Sequence, residues 1–264
     1  MFVDTHTHLY SRKFDRDRGE VIQRALDAGV EAFYIPNIDR NSIEGMLRVE
    51  EDYPQQCFAM IGLHPCSVKD DYREELAVVD EWLHKRDFCA MGEIGIDLYW
   101  DKTYLEQQRE AFLQQVEWAK ARSLPIVIHS RESIDILIEL LREVNDERLR
   151  GIFHCFTGNP EQAEAIIDLG FHLGIGGVLT FKNAGLDKTV ESIPLKHLVL
   201  ETDSPYLAPV PYRGRRNESA YVVKVAERLA EVKKLPLEEV GRVTRENSYA
   251  IFGKSGIFIP HGAG

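Results

Sequence analysis

Short apolar runs alternate with longer amphipathic ones along the chain, the order expected of βα units around a parallel sheet. The apolar runs are Met1 to Asp4, Ala32 to Pro36, Cys57 to Leu63, Cys89 to Gly92, Pro125 to Ile128, Gly151 to Phe153, Phe171 to Ile175 and His197 to Leu200, which makes eight strands. Between them the apolar spacing becomes helical. Ile134, Leu137, Ile138 and Leu141 fall at i, i+3, i+4 and i+7, the stripe of a helix covering a sheet, and Phe112, Val116 and Ala119 share a face between Leu105 and Arg122. Eight strands and eight helices in 264 residues leave little for a second domain. The expected fold is therefore α/β, a single TIM-type (β/α)8 barrel over residues 1–253, in preference to an open doubly wound sheet. Residues 254–264 read as a surface tail. The seventh unit is the least regular, because Gly174, Gly176 and Gly177 blur the end of its strand and its helix is short.

Composition narrows the function classes. With 44% apolar residues and no biased tract, the chain can bury its own core. A formal charge of -11 repels nucleic acid and anionic membranes at long range, so a polyanionic substrate has to be held by local contacts. Cys57, Cys66, Cys89 and Cys155 form no C-x-x-C pair, which suits reduced thiols. No basic and apolar leader precedes the first strand, and no apolar run approaches the ~18 residues of a membrane span. A cytoplasmic protein, intact from Met1 and without membrane association, is expected. Neither a Gly-x-Gly-x-x-Gly turn nor a phosphate-binding G-x-x-x-x-G-K-[ST] loop is present, so nucleotide-cofactor functions lose support.

In such a barrel, functional groups sit where strands end and βα loops begin. His6 and His8 lie beyond strand one, spaced so that both point to the same side. Glu93 follows strand four, His129 strand five, His154 strand six and Asp203 strand eight. Each alone has an ordinary structural role, such as a helix cap for Glu93, a satisfied core position for His129 or His154, or a turn for Asp203 before Ser204 and Pro205. Six such groups on one rim point instead to a metal site. Four imidazoles and two carboxylates exceed the needs of one tetrahedral ion. They suit two divalent cations about 3.5 to 4 Å apart, with Glu93 as the bridge and Asp203 as the base that takes a proton from water.

The motifs then become specific. Asp-Thr-His-x-His at 4–8, Gly-Leu-His-Pro at 62–65, Gly-Glu-Ile-Gly-Ile-Asp at 92–97, Gln-x-x-x-Phe at 108–112, Pro-Ile-Val-Ile-His-Ser-Arg at 125–131, His-Cys-Phe-Thr-Gly at 154–158 and Glu-Thr-Asp-Ser-Pro-Tyr-Leu at 201–207 resemble the TatD family of metal-dependent deoxyribonucleases. The resemblance runs from Asp4 to about Phe252. It implies a barrel of the amidohydrolase superfamily, phosphodiester hydrolysis from a 3′ end, and metal ligands at His6, His8, Glu93, His129, His154 and Asp203. It also implies activity with Mg²⁺ or Mn²⁺, although a histidine-rich site suits Zn²⁺, Co²⁺ or Ni²⁺ as the bound ion. Two departures stand out. Ser219 replaces the proline of the family's Arg-Gly-x-Arg-Asn-Glu-Pro loop, and Ile96 and Leu98 fall in a segment read as a variable loop.

Supporting residues follow from the same rim. Arg131, Lys182, Arg213 and Arg216 are expected to neutralise phosphate oxygens, with Arg215 a bystander. Tyr99, Trp100, Phe156 and Phe181 are candidates to stack on unpaired bases, worth ~1 to 3 kcal/mol per base. His64 and Glu201 join the catalytic group as residues that orient a ligand, water or leaving group. The leading function is a two-metal 3′-5′ exonuclease acting on single-stranded DNA ends and on RNA, without an obligatory protein partner. An ester or amide hydrolase, including one acting on an aminoacyl ester of tRNA, is the alternative enzyme. A protein that holds nucleic acid through its metals without cutting is the third reading.

Overall fold

A computed structural model describes residues 1–253; the tail expected at 254–264 lies outside the described residues. The apolar runs form β1 (Phe2–Asp4), β2 (Val30–Pro36), β3 (Cys57–Ile61), β4 (Ala90–Asp97), β5 (Ile126–Arg131), β6 (Gly151–Phe153), β7 (Phe171–Ile175) and β8 (Leu198–Leu200). All pair in parallel and in sequence order. The Thr5 amide donates to the Leu200 carbonyl at 3.0 Å and Thr7 bridges to Ser204, so the eighth strand returns to the first and the sheet closes as a TIM-type (β/α)8 barrel.

Helices α1 (Arg18–Asp27), α2 (Ile43–Asp52), α3 (Tyr72–Lys85), α4 (Leu105–Arg122), α5 (Ile134–Val144), α6 (Pro160–Asp168) and α7 (Leu186–Ser192) follow the first seven strands. Two helices, α8 (Val222–Lys233) and α9 (Leu237–Phe252), follow β8, one more among the described residues than the strand count predicts. The extra helix has a packing role. Alternate strand residues segregate into two clusters, and the smaller one, with Val3, Tyr34, Met60, Val127, Ile152 and Val199, also contains Ile251 and Phe252 of α9. Phe252 stacks on Tyr34 with ring centroids 4.0 Å apart. We read this cluster as the barrel interior, which α9 plugs at the end opposite the strand C-termini. The larger cluster joins the outer strand faces to the helices. Among the described residues no helix is long and apolar enough to cross a membrane.

β4 differs from its sequence expectation in a way that matters for the site. It does not stop at Gly92 but runs to Asp97, so Glu93 lies inside the strand and Ile96 belongs to it instead of to a loop. His129 likewise lies within β5. Between Gly92 and Ile94 the register against β5 shifts, leaving Glu93 unpaired at a bulge, a device that re-aims a side chain. Beyond the bulge Gly95 pairs with His129 at very close approach. Its φ of 148° lies in the region that favours glycine, and a Cβ there would sit 2.0 Å from the His129 carbonyl oxygen.

Gly95→Ala therefore has to push apart the two strands that carry Glu93 and His129. It should destabilise the protein by about 3 kcal/mol, the upper end of overpacking costs, in urea denaturation.

Candidate metal centre

β1 delivers His6 and His8 just past the strand end, where the His8 amide donates to the Ser204 carbonyl at 2.8 Å and the Asp203 amide to the His6 carbonyl at 2.9 Å. This extension of the β1–β8 seam brings Asp203 beside both imidazoles: its Oδ1 lies 3.4 Å from His8 Nε2 and 3.9 Å from His6 Nε2. Asp203 takes a left-handed backbone at φ 55°, which an aspartate tolerates better than most residues. Asn217 holds that turn, its amide nitrogen donating to the carbonyls of Thr202 at 2.8 Å and Tyr206 at 2.6 Å.

Glu93 occupies the centre, 2% exposed, and its two oxygens face different imidazoles. Oε2 lies 3.2 Å from His6 Nε2 and 3.9 Å from His8 Nε2. Oε1 lies 2.7 Å from His129 Nδ1, 3.3 Å from His154 Nε2 and 3.4 Å from His64 Nε2. The structure thus brings together all six of the expected ligands, with His64 added. They fall into three overlapping groups, His6–His8–Asp203, His6–Glu93–His154 and His64–Glu93–His129, whose donor atoms lie within 4.8 Å of one another in each group. Among the described residues neither ring nitrogen of the fully buried His6 has a hydrogen-bond partner of good geometry, an expense that a cation would remove. Nitrogen and oxygen donors converging around a buried carboxylate fit a divalent-metal centre.

Charge balance follows the geometry. Burial alone would raise the Glu93 carboxyl, but the imidazoles of His64, His6 and His154 and the hydrogen bond from His129 hold it well below its usual range. Burial also opposes the Asp203 carboxylate, yet His8 and its neighbours keep its pKa lowered. Burial depresses His6, and adjacent His154 adds to the effect. For His154 burial is overcome by Glu201 and Glu93, which push it up to about 10.

Several orienting partners surround the ligands. Glu201 Oε1 lies 3.0 Å from His154 Nδ1 and accepts from the Cys155 amide at 2.7 Å, turning the other nitrogen of His154 to Glu93. Gly174, which looked like a flaw in the seventh strand, makes room for this carboxylate: a Cβ there would lie 2.3 Å from Glu201 Oε2. His64 Nδ1 accepts from the Cys66 amide at 3.0 Å, so its proton sits on Nε2. That makes the neutral ring a donor toward the site. Its loop is gripped by two side-chain amides, Asn37 on Gly62 at 2.8 and 2.9 Å and Gln115 on Leu63 at 2.7 and 3.4 Å. Ser219, at the family's proline position, donates to Thr7 Oγ1 at 3.2 Å and joins a buried hydroxyl chain with Ser204.

Among the cationic residues, Arg131 is exposed and lies 3.8 Å over the Tyr99 ring and 5.4 Å from that of Trp100, while Arg213 lies 3.6 Å over Phe181. Lys182 is exposed. Arg216 departs from its expected place at a phosphate: its two terminal nitrogens are committed to Asp17 at 2.7 and 2.6 Å, and one of them also to the Lys13 carbonyl. Phe156 is also corrected, being 1% exposed and part of the core. Sequence reasoning passed over Tyr10, which is hydrogen-bonded to His8 Nδ1 at 3.0 Å, and Tyr206, 43% exposed with its ring 6.0 Å from that of His8. Both signals were present, as the continued two-residue spacing His6, His8, Tyr10 and as the tyrosine of the 201–207 motif.

Residues 3–253 match the family described as TatD related DNase. The chain belongs to that family. It is 40% identical over 253 residues to YabD of Bacillus subtilis, named an uncharacterized metal-dependent hydrolase, in an alignment covering 96% of this chain and 99% of YabD. The solved structure of YjjV, a TatD homolog from Escherichia coli, superposes with a TM-score of 0.90 at 30% identity, covering 95% of this chain and 97% of YjjV. A TatD-family protein of Pectobacterium parmentieri, 29% identical over 94% of this chain and 98% of its own length, is named a 3′-5′ ssDNA/RNA exonuclease. This TatD-family chain is a metal-dependent hydrolase.

Tyr10→Phe removes the hydroxyl that fixes His8 Nδ1, together with that hydroxyl's hydrogen bond to Ser42. It should weaken divalent-metal binding ~10- to 100-fold, read by calorimetric titration with Mn²⁺.

Proposed function

We propose that the chain hydrolyses phosphodiester bonds at the 3′ end of single-stranded DNA, and of RNA, with two divalent cations that Glu93 would help to hold. The observation that carries this reading is the split of the Glu93 carboxylate, one oxygen toward His6 and His8 and the other toward His129 and His154. His6, His8 and Asp203 would hold one ion and His129 and His154 the other. Cations held there would polarise a phosphoryl oxygen and bring the pKa of a water toward neutrality. Mg²⁺ or Mn²⁺ would support turnover, and Zn²⁺, Co²⁺ or Ni²⁺ would also suit the donors.

The chain's own groups then have defined tasks. Asp203, with a side chain 16% exposed against 2% for Glu93, is the more accessible carboxylate, and its lowered pKa leaves it ionised and able to accept a proton. His64 offers its Nε2–H to an oxygen of the substrate or leaving group. Glu201 orients His154. Arg131, Lys182 and Arg213 neutralise phosphate oxygens, while Arg216 braces the loop of Asn217 through Asp17.

A single-stranded end suits this rim. Five of the seven exposed large hydrophobic side chains among the described residues, Tyr99, Trp100, Tyr206, Leu207 and Val210, lie on the loops after β4 and β8. Unpaired bases supply the planar apolar surface that such side chains and their stacked arginines bind. The net charge of -11 disfavours long contacts along a duplex. The name of the Pectobacterium relative points the same way.

Single-stranded oligonucleotides labelled at either end, incubated in EDTA and then with Mg²⁺ or Mn²⁺, test the reading. The 3′ label should leave at once and the 5′-labelled strand shorten stepwise, only with metal. Cleavage of acyl esters beside intact oligonucleotides would replace it with the ester or amide hydrolase. Asp203→Asn should cut the rate ~10²- to 10⁴-fold, measured with metal saturating; full activity would remove its role as base.

A further inference from the structure

Asp97, a residue to which the preceding reading gives no task, touches both halves of the site. Its Oδ2 lies 2.8 Å from His129 Nε2, and its Oδ1 accepts from the backbone amides of Tyr99 at 3.0 Å and Trp100 at 3.2 Å. The carboxylate is 2% exposed. Its own backbone is fixed by Gln108 of α4, whose Oε1 accepts from the Asp97 amide at 2.8 Å and whose Nε2 donates to the Asp97 carbonyl at 3.3 Å. In the β4–β5 ladder Asp97 pairs with Arg131, the residue whose guanidinium lies over Tyr99.

We infer that Asp97 is a positioning residue that couples the metal ligand to the aromatic turn: one oxygen fixes the ring of His129 while the other fixes the loop bearing Tyr99 and Trp100. Holding the Nε2 proton leaves Nδ1 as the atom turned to Glu93, where a ligand nitrogen is needed; an unheld ring would be free to carry its proton on either nitrogen and to rotate. The other oxygen satisfies two amides that the turn itself leaves unpaired, so Trp100 stands 71% exposed on a backbone that does not depend on its own packing. Both tasks need acceptors only. An asparagine can serve one of them, because its NH₂ group would face either the imidazole N–H or the two backbone N–H groups.

The coupling rests on the metal site proposed above but not on the identity of the substrate, and its test keeps the two apart. Asp97→Ala and the milder Asp97→Asn are compared with the wild type by calorimetric titration with Mn²⁺ and by hydrogen exchange at the Tyr99 and Trp100 amides. Asp97→Ala should weaken Mn²⁺ binding ~10- to 100-fold and speed exchange of both amides at least about 10-fold, with the helices still protected. Asp97→Asn should fold like the wild type and retain one of the two properties while losing the other. If Asp97→Ala changes neither reading, or only one, the coupling is wrong. Uniformly faster exchange throughout Asp97→Asn would also overturn it, by reducing Asp97 to a general structural residue. A wild type that binds Mn²⁺ yet leaves oligonucleotides intact would sink the nuclease reading and leave this result to be decided by the same two measurements.

Discussion

A carboxylate buried away from water costs several kcal/mol unless other groups compensate it, and Glu93 lies at the middle of the barrel mouth, 2% exposed. Five imidazoles supply that compensation, and they are brought from four places in the chain: His6 and His8 from just past β1, His64 from the loop after β3, His129 from β5 and His154 from just past β6. The bulge in β4 turns Glu93 toward them, and the glycine contact between Gly95 and His129 allows β4 and β5 to come close enough for a 2.7 Å bond. The same groups that make the carboxylate tolerable are donors of the kind that could hold a divalent cation.

The fold keeps this cluster in register by pinning backbone as well as side chains. Asn37, Gln108, Gln115 and Asn217 each use an amide to hold main-chain groups near a functional residue, which satisfies polar backbone in loops that no sheet can reach. Gln108 and Gln115 both come from α4, two turns apart on the face that also buries Phe112. The apolar interior ends beneath the cluster and α9 plugs the far end, so stability and chemistry occupy opposite ends of the barrel.

Much of this was legible because the barrel repeats a simple code. Eight apolar runs separated by helical stripes sufficed for the architecture, and the polar residues that follow the runs marked the rim. Where the reading failed, the cause was physical. From sequence β4 reads as ending at Gly92 because a glutamate inside a strand looks like the strand's end; Ile94 and Ile96 continue the outer apolar face while Glu93 points inward at the bulge. Arg216 looked available because its partner, Asp17, lies 199 residues away in sequence. Phe156 looked like a rim aromatic because nothing local signals that it turns into the core. The strand count does not predict α9 because it plugs the barrel without following a strand of its own. Gly174 read as weakness when its missing side chain is what admits Glu201.

The division of Glu93 between two sets of imidazoles is the central claim, and anomalous scattering from crystals grown or soaked with Mn²⁺ tests it most directly. Two peaks about 3.5 to 4 Å apart, one beside His6, His8 and Asp203 and one beside His129 and His154 with Glu93 between them, are the predicted result. A single peak at full occupancy under saturating Mn²⁺, or peaks that Glu93 does not touch, would contradict it.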